Sequence, residues 1–312
     1  LVLSFGGPEK PDDVMPFLEN VLRGRNVPRE RMLEVAEHYY HFGGRSPIND
    51  QNRALIAAVR DLLDKEGPQV PVYWGNRNWD PFLADTMRQM RSDGIRRALG
   101  FVTSAYSSYS GCRQYREDVA RASAEVGEGA PEIAKLPSFH NQPGFIAANA
   151  DHLREALSHH PASARVAFTA HSVPTPMAVA SPYVDQLQET AALVATAAGV
   201  PEWSLVYQSR SGPPTQPWLE PDILEHIRAM HAQGVGELVI APIGFISDHM
   251  EVIYDLDTEA AQLCEELGIH MTRAKTAGTH PAFIRTIRDL MLNEVQICRP
   301  DCCPAPAQRP RA

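Results

Sequence analysis

The alternation of short apolar runs with longer amphipathic stretches constrains this chain more than any other feature. Runs at 1–5, 70–75, 97–103 and 132–137 read as strands, and stretches at 11–22, 29–40, 49–65 and 115–126 carry helical spacing. The theme returns with strands at 165–170, 204–208, 237–243 and 269–273, and helices at 182–198, 222–233 and 251–267. A helix between two strands returns the chain to the same edge of the sheet. The strands therefore run parallel and helices cover both faces. The fold class is α/β, with two successive four-stranded parallel sheets flanked by helices. A helix over 144–157 closes the first half, which predicts domains at 1–158 and 159–312. A last helix, 281–295, is expected to pack back across the first domain, and the tail rich in Pro, Cys and Arg has no regular structure.

Charge and hydropathy remove several classes of function. The 312 residues carry a net charge of −9 and no basic run, which argues against a nucleic-acid partner. The longest central apolar stretch, residues 238–246, is broken by Pro242 and Gly244, whereas a bilayer span needs roughly 20 apolar residues. No transmembrane segment is expected. Leu1 opens directly on a strand-like run, so no signal peptide is expected either, and the chain reads as cytoplasmic.

Open parallel sheets bind ligands at the carboxyl ends of their strands, and here those ends are polar. His171 closes a strand in Thr169-Ala170-His171-Ser172-Val173-Pro174. On its own, such a histidine is as readily a hydrogen-bonded strand terminus as a functional group. A second strand end, Ser247-Asp248-His249-Met250-Glu251, leads into a helix on which Glu251, Asp255 and Glu259 recur every fourth residue. That spacing lines three carboxylates along one face, where like charges cost about 0.2–0.5 kcal/mol per pair. A solvated acidic face helped by the helix dipole is the plain account, but a first-turn dipole does not reach Glu259. A row of carboxylates leading to a histidine suits a hard or borderline cation moving inward.

Five stretches in order resemble the ferrochelatases: Phe5-Gly6-Gly7-Pro8, residues 42–49 (FGGRSPIN), residues 169–174 (THSVP with Ala170 inside), residues 207–213 (YQSRSGP) with Pro217-Trp218-Leu219, and residues 245–251 (FISDHME). The resemblance spans nearly the whole chain. It implies two Rossmann-like (flavodoxin-like) domains with a porphyrin cleft between them, and insertion of Fe(II) into a porphyrin during haem biosynthesis. It assigns catalysis to His171 and Glu251, and metal handling to His171, Glu251, Asp255 and Glu259. Asp248 and His249 match residues that hold this corner in place. Free-base porphyrin releases two N–H protons as metal enters, so a base, a metal handler and walls that bend the ring are required. Which of His171 and Glu251 takes which part stays open.

Substrate contacts are expected from Phe5, Arg25, Arg45, Ser46, Tyr115 and Met250, the arginines serving the propionates. Arg23, Arg113 and Trp218 are further candidates. Two positions depart from the family pattern: Phe5 stands where many members have a metal-reaching Tyr, and His38 where a basic outer-site arginine is common. Coproporphyrin III is favoured over protoporphyrin IX, because the chain shows no apolar insertion for membrane docking and its Tyr- and Arg-bearing loops could hold extra propionates. Transient contact with other haem-pathway enzymes is an expected partnership. The alternatives are another tetrapyrrole chelatase, of the sirohydrochlorin type, and a non-catalytic porphyrin or metal carrier, which would need no proton acceptor at Glu251.

Of five cysteines, Cys298, Cys302 and Cys303 cluster in the Pro-rich tail, and clustered cysteines in a cytosolic chain point to metal before disulfides. Some ferrochelatases hold a [2Fe–2S] cluster with one mid-chain and three C-terminal cysteines. The resemblance therefore implies such a cluster on Cys112, Cys298, Cys302 and Cys303, although adjacent Cys302 and Cys303 seldom both ligate comfortably. Cys264 falls on an apolar helix stripe and reads as a small buried hydrophobe.

Overall fold

A computed structural model describes residues 1–24, 27–212 and 215–293. The chain forms two compact units. The first comprises Leu1–Thr103, Tyr115–Leu136 and residues 290–293; the second comprises Ser104–Gln114 and Pro137–Asp289. Each contains one four-stranded parallel sheet.

In the first unit β1 (Val2–Ser4), β2 (Trp74–Asn76), β3 (Arg97–Val102) and β4 (Glu132–Lys135) lie in the order β2-β1-β3-β4. Helices α1 (Pro11–Val21), α2 (Arg29–His41), α3 (Ile48–Glu66), α4 (Leu83–Ser92) and α5 (Gln114–Val126) supply the connections. α1 begins well: Pro11 sits where no N–H is needed, Asp12 and Asp13 face the dipole, and Val14, Phe17 and Leu18 are buried on one side. β2 is shorter than the run at 70–75 suggested, since Pro71 has no N–H to give a ladder. α4 went unread in the sequence. Its buried residues Leu83, Thr86, Met87 and Met90 keep helical spacing, but polar residues and the neighbouring Pro81 obscure it.

The second unit repeats the order, β6-β5-β7-β8, with β5 (Arg165–His171), β6 (Trp203–Gln208), β7 (Glu237–Ala241) and β8 (His270–Arg273). Its helices are α6 (Pro143–Leu157), α7 (Thr175–Val179), α8 (Tyr183–Ala198), α9 (Ile223–Ala232), α10 (Met250–Tyr254), α11 (Ala261–Glu266) and α12 (Pro281–Leu292). Ala167, Val206, Leu238 and Ile240 from three strands meet Ile227, Val252 and Leu256 in one core. The division expected after residue 158 assigned α6 to the first half. In the structure α6 packs on α8, β7 and β8, so it belongs to the second unit. Gly144 explains how close α12 comes: a Cβ there would lie 2.2 Å from the Ala282 carbonyl oxygen. Phe139, Phe145 and Phe283 complete that contact edge-on and tilted. Residues 281–289 are therefore part of the second unit, whereas residues 290–293 group with the first.

The helix read over 251–267 is three pieces. Between α10 and α11 runs a π-helical turn, Asp255–Ala260, and another π turn occupies Tyr109–Arg113. Such turns are rare and concentrate at functional sites. No helix among the described residues is long and apolar enough to cross a membrane.

Candidate active site

β5 and β7 are neighbours although α7, α8, β6 and α9 separate them in sequence, so the strand order reverses between them. Ligands in this kind of sheet collect at the carboxyl ends flanking that reversal. β5 ends on His171. The segment after β7 crosses back toward β5 through Gly244, whose N–H donates to the Thr169 carbonyl at 2.9 Å. A Cβ on Gly244 would stand 2.5 Å from the Ala170 Cα, so glycine allows the approach.

That approach brings Glu251 to His171, with Nε2 and Oε2 separated by 3.6 Å. Several contacts fix the imidazole. Nδ1 donates to the Ser172 carbonyl, and the Tyr183 hydroxyl holds the His171 carbonyl at 3.0 Å. His249 caps α10, its Nδ1 accepting from the Val252 N–H at 3.3 Å; this leaves Nε2 as the protonated nitrogen, 3.7 Å from the same Glu251 oxygen. Glu251 thus sits between two imidazoles in the first turn of a helix, where the dipole favours an anion.

Asp255, at the start of the π turn, accepts hydrogen bonds from the Ser209 hydroxyl and from Gln208 Nε2, the latter at 3.3 Å. Gln208 also reaches the Glu251 carbonyl at 3.1 Å. Ser209 has φ 61, the one described non-glycine residue in the left-handed region. Such a conformation costs of order 1 kcal/mol and persists where surroundings enforce it, commonly at functional sites. Behind the corner, Arg273 at the end of β8 donates to Asp248 at 2.9 Å and to Asp257 at 2.5 and 2.8 Å, tying the β7–α10 loop to the π turn.

These contacts divide the protonation states. Burial disfavours a charged His171, but the Glu251 carboxylate, its hydrogen bond and the Ser172 carbonyl prevail and lift the imidazole to about 9. Burial likewise opposes ionised Glu251, and His171 with His249 outweighs it, holding the carboxyl at about 2. Burial pushes Asp255 up to about 7, against the Ser209 hydrogen bond, and the charges of Glu251 and Glu259 push the same way. Glu259 is raised by burial and by Asp222. Burial lowers His249 against the pull of Glu251. At neutral pH the corner therefore holds a charged His171–Glu251 pair beside a carboxyl that titrates in the same range.

The structure brings His171 and Glu251 together, with Asp255 one turn further along the helical segment. It does not bring the expected metal quartet into a ready cage: among the described residues, the one set of three His, Cys, Asp or Glu donors within 4.8 Å of one another lies elsewhere. Ser209, Gln208, Tyr183 and Arg273 were not singled out from sequence. Ser209 and Gln208 stood in the YQSRSGP stretch, a usable signal, while Tyr183 and Arg273 have none.

The remaining expected residues are placed as follows. Met250 is buried at the start of α10. In the first unit Phe5 packs edge-on against Phe17, 6.2 Å between centroids. Arg45 pairs with Asp50 on the surface. Ser46 is buried, its hydroxyl accepting from the Ile48 N–H at 3.4 Å. Tyr115 is buried with the Arg77 guanidinium 3.8 Å above its ring, and Asp118 pairs with that guanidinium. Cys112 is buried in the first π turn, and Cys264 is buried in the second core, where burial lifts its thiol to about 11. Arg25, Cys298, Cys302 and Cys303 lie outside the described residues.

Comparison with known proteins gives a consistent result. The family model described as Ferrochelatase matches residues 1–295. A ferrochelatase of Rhodopirellula baltica is 58% identical over 99% of this chain and 94% of its own length. A coproporphyrin III ferrochelatase of Streptomyces coelicolor is 49% identical over 100% of this chain and 94% of its own. Among solved structures, SirB from Bacillus subtilis with Fe3+ shares the fold at a TM-score of 0.58 and 12% identity, covering 95% of this chain and 98% of that one.

Proposed function

The chain belongs to the ferrochelatase family, which inserts ferrous iron into a porphyrin in haem synthesis, and on that premise we propose that His171 and Glu251 carry the reaction here. The observation that supports this is the 3.6 Å pair itself, in which one proton and one negative charge are shared at neutral pH. Ferrous iron approaching the Glu251 oxygens withdraws the charge that keeps His171 protonated. The imidazole gives up that proton and, now neutral, accepts one from a pyrrole N–H. The second pyrrole proton follows the same route. Asp255, near 7, passes protons outward past Glu259, since an acceptor matched to the ambient pH both takes and releases them. Iron stays ferrous throughout, and two protons leave for each ion that enters. Asp255 and Glu259 also serve the incoming cation, while Phe5, Met250, Ser46 and Tyr115 serve the porphyrin, and Arg25 and Arg45 its propionates.

Glu251→Gln keeps the shape and removes the charge. Insertion is expected to fall about 10²–10⁴-fold while porphyrin still binds, by absorbance and fluorescence quenching respectively. Unaltered turnover would refute the mechanism, and loss of porphyrin binding would point to a structural role.

For the ring substituents we favour coproporphyrin III, supported by relatives bearing that activity in their names at 47–53% identity. Initial rates of iron insertion into coproporphyrin III and protoporphyrin IX, measured side by side, decide between them. The cytoplasm is the setting that fits this reading.

A [2Fe–2S] cluster is a separate proposal. Four thiolates are the donor set such a cluster takes, and Cys112 with Cys298, Cys302 and Cys303 provides that number. The donor chemistry fits, and Cys112 sits in a π turn, a rare form of backbone. Insertion involves no redox change, so a cluster would stabilise or regulate. Amber colour and acid-labile sulfide in anaerobically purified protein, both lost in Cys112→Ser, are the expected result; colourless protein refutes it.

A further inference from the structure

The same sheet that carries the corner at its carboxyl ends has an unexplained cluster at its amino ends. Glu237 opens β7 and His270 opens β8, and the two are register partners. His160 comes in from the turn after α6. The Nδ1 atoms of both histidines converge on one oxygen, Glu237 Oε2, at 2.7 Å from His160 and 2.8 Å from His270. The two rings stack with centroids 4.4 Å apart at 23°. The His160 side chain is 0% exposed and that of His270 57%. This trio is the set of donors, among the described residues, that lies within 4.8 Å of one another.

We propose that His160, Glu237 and His270 bind a divalent transition ion of the zinc class, distinct from the iron that serves as substrate. Two imidazoles and a carboxylate are borderline ligands, and three protein donors leave a fourth tetrahedral position for water on the open His270 side. Ligands of one zinc stand at ~2.0–2.2 Å from the metal, so the trio needs to open only slightly to admit it. The surroundings are ready for the change. His160 Nε2 lies 2.8 Å from the Thr272 hydroxyl. With no metal, Nδ1–H donates to Glu237 and Nε2 accepts from the hydroxyl. With metal on Nδ1, the proton sits on Nε2 and donates to that same hydroxyl, the outer contact that orients a ligating histidine. Thr272 shares a face of β8 with His270, two residues away, so one strand supplies both a ligand and its neighbour's support. The bound ion would clasp β7, β8 and the α6–β5 turn.

The test uses zinc(II) alone, titrated into the full chain carrying His171→Ala so that the catalytic corner contributes less. A second protein adds His270→Ala, a surface change that leaves folding intact. Equilibrium dialysis should show one zinc equivalent fewer in the double variant, and zinc should raise the melting temperature of the first protein only. Glu237→Gln, which keeps the shape of the cluster, should weaken the same site by more than about tenfold. Equal uptake in the two proteins, or equal thermal response, overturns the proposal. With His171 intact, His270→Ala should retain iron insertion; loss of insertion together with unchanged zinc uptake would also overturn it.

Discussion

The two units share a sheet order and differ in what stands at the ends of their strands. In the first, the last register pair between the first two strands is Ser4 with Asn76; in the second, it is His171 with Gln208. Around Ser4 the donors are side-chain amides: Asn52 donates to the Ser4 hydroxyl at 2.8 Å, Asn76 to the Asp80 carbonyl at 3.0 Å, and Asn49 to the Gly7 carbonyl at 3.2 Å and to the Glu9 carboxylate at 3.0 Å. Around His171 the polar groups are ionisable, with Glu251, His249 and Asp255 in reach. An amide network closes loops on themselves, whereas a cluster of facing imidazoles and carboxylates can exchange protons and attract cations. One scaffold built twice therefore sets ionisable groups at the strand ends of one copy and amide loop anchors at those of the other, as expected when function is grafted onto strand-end residues.

The first unit does hold buried charge, and it lies close to those amides: Arg77 follows Asn76, and its backbone N–H donates to the Ser4 carbonyl at 2.9 Å. Arg77 and Asp118, 7% and 3% exposed in their side chains, form a pair whose guanidinium lies over the Tyr115 ring. If this pair is structural, Asp118→Asn leaves a buried guanidinium uncompensated and should cost about 3–5 kcal/mol in urea denaturation. A loss under about 1 kcal/mol would break the contrast between the units. Asp255→Asn tests the other side. The unfolded carboxyl titrates at 3.8 and the folded one at about 7, so between these values the native state binds more protons and stability falls as pH rises. The asparagine variant should lose that slope and gain stability over wild type at pH 8, with a smaller effect than Asp118→Asn.

The His171–Glu251 pair combines both signs. The depressed Glu251 contributes above 4.5 and is lost as pH falls toward 2, and the raised His171 contributes fully below 6.5 and is lost through 9. Removing Glu251 should therefore cost most between pH 4.5 and 6.5, a window that thermal melts across pH would locate. Ser209→Ala removes one hydrogen bond from Asp255 and should cost about 1 kcal/mol while moving the acid limb of the insertion profile to higher pH. Smallest of all, Lys65→Ala deletes an exposed i,i+4 pair with Asp61 and should change stability by less than about 0.5 kcal/mol.

The sheets were readable because strand and helix periods differ, and all eight expected strands overlap observed ones. Two helices went unread: α4, whose stripe at Leu83, Thr86, Met87 and Met90 is set among polar residues just after Pro81, and the five-residue α7, with Pro174 before it and Pro176 inside it. The ladder at 251, 255 and 259 was visible as spacing, but a π turn is set by tertiary packing and leaves no period to detect. His171 and Glu251 were legible through motif resemblance. Their separation, and the unusual acidity of Asp255, depend on which chain segments close over them. The zinc-class trio shows the same limit. His160, Glu237 and His270 are spread over 111 residues, and nothing in their local sequence hints that they converge.

Gly244 is a spacer defined by a missing atom. Since its neighbours Thr169 and Ala170 directly precede His171, the thickness of one methyl group sets how far the glutamate-bearing arm rides above the histidine-bearing strand. Tolerance at the His171–Glu251 pair is thus machined into bare backbone, several residues ahead of the glutamate and far beyond the histidine in sequence. Residue 244 belongs to the gauge of the instrument, although it never touches the work.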